Sequence, residues 1–125
     1  MSEENQDEII EIYDDDNVEI YDASVKAIRA LYALAASPKP LPNRIINAYL
    51  ALVHIRDNTL TEALLEEYQE LIAHMTRRRT IDSPVRATIE AMNEEELQDA
   101  AGRIIRFYEG IRKESFRRRF ERREF

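Results

Sequence analysis

Between Val25 and Ile111 apolar residues return at intervals of three and four, the period of a helix that buries one face. Only two glycines and four prolines interrupt the chain. Ala, Leu, Ile, Glu and Arg, which cost little in a helix, fill much of the rest. The chain is therefore expected to be all-α: a compact bundle of about five helices with a long, basic C-terminal helix and a flexible acidic N-terminal segment.

A first helix is predicted after Asp22, a good N-cap, with Val25, Ile28, Leu31, Tyr32 and Ala35 as its stripe. Pro38, Pro40 and Pro42 end it, because prolines so closely spaced cannot continue a helix. A second helix from about Asn43 to Arg56 carries Ile45, Ile46, Tyr49, Leu50, Leu52 and Val53 over most of its circumference, which predicts the most buried element. Thr59 and Glu62 have capping-box spacing and open a third helix to about Thr76, with Leu60, Leu64, Leu65, Tyr68, Leu71, Ile72 and Met75 on its apolar side. Ser83 and Pro84 start a short fourth helix to about Met92. Asn93 and Glu96 start the last, whose core stripe runs through Leu97, Ala100, Ala101, Ile104, Phe107, Tyr108 and Ile111. Its helical pattern continues to about Glu124, longer than a bundle of short helices covers, so its end is expected to project. Gly102 lies mid-helix, either at a close approach to Ala23, Ala27 and Ala30 or as a tolerated surface glycine.

Charge is segregated along the chain. Residues 1–22 hold ten Asp or Glu and no base, whereas residues 103–125 hold nine bases and four acids. The expected organisation is an acidic, disordered or partner-ordered segment over 1–22, a helical bundle over 23–111, and a basic aromatic extension of the last helix over 112–125. The acidic segment repeats Glu-Ile-Tyr-Asp at residues 11–14 and 19–22, and Ile9, Ile12, Tyr13, Ile20 and Tyr21 are its candidate contact residues. Gln6, Ile9 and Tyr13 resemble the sliding-clamp-binding peptide pattern, with Ile12 where that pattern has its first aromatic; the resemblance covers eight residues and implies a replication-clamp partner.

Chemistry is sparse. Cysteine is absent, which removes disulfides and thiolate metal sites. His54 and His74 fall on different predicted helices, and the Glu70–His74 pair alone is too few ligands for a metal. No phosphate loop, nucleophile elbow or convergent acid–base pair stands out, so neither enzymatic activity nor a cofactor or small-molecule substrate is expected. An acidic N-terminus and short apolar runs predict neither secretion nor membrane spanning; a cytoplasmic location is the expectation.

Two basic features are left. Arg77, Arg78 and Arg79 are placed at the end of the third helix, where one or two complement the helix dipole. Arg112, Lys113, Phe116, Arg117, Arg118, Arg119, Phe120, Arg122 and Arg123 interleave arginines with aromatics, Phe116 and Phe120 being helical neighbours. Such a face suits an acidic protein groove, a second copy of the chain, or a nucleic acid. The expected function is a non-enzymatic interaction or assembly subunit using the acidic head and the Arg/Phe tail as contacts, with nucleic-acid binding or an accessory role in a DNA- or RNA-processing complex as the alternative. Competition between residues 1–22 and an external polyanion for the tail is a corollary.

Overall fold

A computed structural model describes the backbone of residues 15–123 and the side chains of residues 20–120. The described chain is all-helical: α1 (Asp15–Ala35), α2 (Leu41–Leu52), a 3₁₀ turn (Asp57–Thr59), α3 (Glu62–Met75), α4 (Pro84–Glu90) and α5 (Glu94–Arg123). Pro38 and Pro40 separate α1 from α2, and Pro42 is accommodated in the first turn of α2, where no backbone donor is lost. Ser83 accepts a hydrogen bond from the Arg86 N–H at the start of α4. Asn93 and Glu96 form the reciprocal capping box of α5, at 2.8 and 3.2 Å.

Several elements differ from expectation. The cap of α3 is Thr61, whose hydroxyl accepts from Leu64; Thr59 is buried in the 3₁₀ turn and donates to the Arg56 carbonyl at 2.7 Å. α2 stops at Leu52, and Leu50 and Val53 are exposed, so it is not buried all round. Gly102 is not a close-approach site, since a Cβ there meets only the Arg106 side chain of its own helix. Gly110 is the tight position: a Cβ would lie 2.9 Å from Leu64 Cδ2.

The largest change concerns α1. It already includes Asp15, and Ile20, at 2% exposure, belongs to the core, so the boundary drawn after Asp22 falls inside the folded body. Its buried row is Ile20, Ala23, Ala27, Ala30 and Leu34, whereas the bulkier Ile28 and Tyr32 of the predicted stripe lie outside. Three alanines let neighbouring helices come close at the middle of the inner face, and Ile20 and Leu34 fill its ends.

Side-chain contacts fix the helix directions. Leu64 lies against Gly110, the Tyr68 ring 5.5 Å from Phe107, and Arg77 2.8 Å from Glu96, so α3 runs antiparallel to α5. Tyr68 donates its hydroxyl proton to the Leu52 carbonyl at 2.8 Å, with the Ile55 carbonyl at 3.2 Å as second acceptor, and Lys26 reaches the His54 carbonyl at 2.9 Å. The middle of α1, the end of α2 and Phe107 therefore share a level. At the other level Arg44 binds the Leu34 carbonyl, and α4, which leads into α5, packs on α2. α1 is thus antiparallel to α2 and α5, and its opening turns run beside the C-terminal half of α5. The core gathers Ile45, Leu52, Met75, Ile89, Ile104, Phe107 and Ile111 between these helices.

Candidate interaction surface on the C-terminal helix

α5 has 30 residues and, at 1.5 Å per residue, is about 45 Å long. Its contact with α3 ends near Gly110, so the stretch after Ile111 extends past α3 by about 18 Å. The inward side of this extension is not bare. Glu114 and Arg118 side chains are only 13% and 17% exposed, and Glu114 accepts from Arg117 at 2.6 Å and Arg118 at 2.9 Å. Its carboxyl is held below the ordinary carboxylate range, chiefly by the Arg117 hydrogen bond, with burial opposing and Arg118 assisting.

At about 100° per residue, Phe116 and Phe120 lie opposite Ile104, Phe107 and Ile111. They point away from the bundle. Phe116 is 68% and Phe120 56% exposed, and the rings stack with centroids 6.4 Å apart. Arg112, Lys113 and Arg119 are exposed around them, and Glu109, Arg112, Lys113 and Phe116 line a shallow hollow. The helix carries Arg122 and Arg123 onward, their side chains lying outside the described region, as does Phe125.

Other expected contacts are not brought to this surface. Arg77, Arg78 and Arg79 follow the end of α3 at Met75 and lie in the linker to α4, not in the last helical turn. Arg77 is committed to Glu96, and the Arg78 backbone N–H donates to Thr88. Glu96 lies in the first turn of α5, 16 positions or about 24 Å before Arg112, so the two basic features do not form one strip. Ile20 is core and unavailable for contact, whereas Tyr21 is 60% exposed. Ile9, Ile12, Tyr13 and the clamp-like peptide lie outside the described residues.

Among the described residues no group of three or more His, Asp or Glu has a metal-binding arrangement, and no helix is long and apolar enough to cross a membrane. Comparison with known protein families, with curated proteins and with solved structures yields no match.

Proposed function

We propose that this chain is a non-enzymatic interaction or assembly subunit, a helical scaffold that presents the outward face of α5 to an acidic groove on a protein partner. The observation that carries the reading is the pair of stacked, outward Phe116 and Phe120 rings with Arg112, Lys113 and Arg119 around them. Two adjacent exposed phenylalanines gain little for the isolated fold and mark a surface that is covered in use. A helix with apolar anchors one turn apart and flanking cations fits a groove with an apolar floor and acidic rim. The separation of Arg77–Arg79 from this face weighs against an extended nucleic-acid track, although stacked rings beside arginines also suit single-stranded bases.

The test is a fluorescence-anisotropy titration of the full chain with two probes, an amphipathic Glu/Leu-rich peptide and a single-stranded oligonucleotide, at about 50 and 200 mM salt. Peptide binding that falls at least about tenfold in Phe116→Ser/Phe120→Ser supports the proposal. Preference for the oligonucleotide, with steep salt dependence, transfers the surface to nucleic-acid recognition. A chain lacking residues 1–14 tests the competition idea without removing core residue Ile20: stronger binding supports it, and unchanged affinity at low salt rejects it.

A further inference from the structure

α1 is apolar on two faces, and only one of them is buried among the described residues. The inner row is Ile20, Ala23, Ala27, Ala30 and Leu34, all buried. Turned away from it runs a second row with the 4-3-4 spacing of a coiled-coil seam, Tyr21, Val25, Ile28 and Tyr32. Tyr21 and Tyr32 are 60% and 66% exposed, Ile28 39%, and Val25 is half-buried. A second apolar row is more than one packed helix face requires, and a contiguous exposed one marks a surface for contact. This row lies on α1 and is independent of the Phe116/Phe120 surface.

The row reads Tyr-Val-Ile-Tyr, aromatic at its ends and aliphatic at its centre, so it matches its own reverse. Placed against a second copy in antiparallel register, Tyr21 meets Tyr32 of the other copy and Val25 meets Ile28. The flanking charges obey the same symmetry. Asp22 and Arg29 occupy equivalent positions beside the seam, and in that register each Asp22 faces the other copy's Arg29. Asp22 pairs with Lys26 at 2.9 Å, and its side chain remains 44% exposed; Arg29 is exposed. A two-fold interface requires this self-complementarity, in which residue i meets j and j meets i.

We propose that the outer face of α1 is a homodimer seam, occupied by α1 of a second copy in antiparallel orientation with Tyr21 against Tyr32, Val25 against Ile28 and Asp22 against Arg29. One helix face with two tyrosines covers less than the roughly 800 Å² per partner of a standard interface, so the dimer is weak, with dissociation in the micromolar range.

Sedimentation velocity of the full chain from about 5 to 300 μM spans that range. A concentration-dependent monomer–dimer equilibrium is expected, weakened at least about tenfold by Ile28→Glu and by Arg29→Glu, with circular dichroism unchanged. Asp22→Arg combined with Arg29→Glu exchanges the two charges and restores dimerisation. A wild-type chain monomeric throughout overturns the proposal. So does a dimer that survives Ile28→Glu, a charge exchange that fails to restore association, or a dimer lost only in Phe116→Ser/Phe120→Ser.

Discussion

Tyr68 joins the polar and apolar halves of the core at a single residue. Its ring packs on Phe107 while its hydroxyl serves the Leu52 and Ile55 carbonyls where α2 has ended. Burial, with the Asp57 charge and Tyr49 adding to it, pushes its pKa up to about 12, so it stays a donor throughout the useful pH range. Tyr68→Phe is expected to cost about 1–2 kcal/mol in urea unfolding, because it removes the donor and leaves acceptors buried. His74 acts in the opposite sense. Burial first, then Arg103 and Arg77, hold its pKa below the ordinary 6.5 against the pull of Asp99, 3.9 Å away, and Glu96. The unfolded chain therefore takes up a proton that the folded site resists, and stability falls as pH drops below 6.5 toward the depressed folded value. His74→Gln should flatten the urea midpoint between about pH 8 and 5.5; a wild-type midpoint already flat there contradicts the assignment. Nothing in the spacing of Glu70 and His74 indicated this role, since the groups that perturb His74 come from α5 and the linker after α3.

Local signals at the level of elements were readable because they act within a few residues. Ser83-Pro84 and the Asn93/Glu96 box start α4 and α5 where their chemistry predicts. Capping-box spacing singled out Thr59, but the 3₁₀ turn buries Thr59 and the cap is Thr61, which has no acid three residues on to announce it. The faces of α1 were less legible. Periodicity gave one stripe, Val25, Ile28, Leu31, Tyr32 and Ala35, whereas the neighbouring helices take up the row of Ile20, Ala23, Ala27, Ala30 and Leu34 and leave Ile28 and Tyr32 exposed. The glycines of α5 show the same dependence on partners. Gly102→Ala removes a helix-interior glycine with only the flexible Arg106 end nearby, and is expected to stabilise by about 0.5–1 kcal/mol. Gly110→Ala should gain less or lose, because Leu64 must move. Equal gains for both in thermal unfolding would contradict the packing of α3 on α5.

For the whole molecule, the fold class and the long last helix were legible from composition and period, while the spatial arrangement of charge was not. A chain acidic at one end and basic at the other suggested competition between head and tail, but not where the helices place them. Antiparallel packing turns the start of α1 toward the C-terminal half of α5, and leaves Arg77–Arg79 at the far end of the bundle. The face proposed for an acidic partner, separate from the α1 seam, is the outward side of the extension. Its defining claim is that Phe116 and Phe120 contribute to contact and not to the fold. Urea unfolding of Phe116→Ser/Phe120→Ser against wild type tests this most directly. The account predicts a difference within about 0.5 kcal/mol, as for exposed positions. A loss of about 3 kcal/mol or more, the scale of core truncation, would place both rings in the core and contradict it.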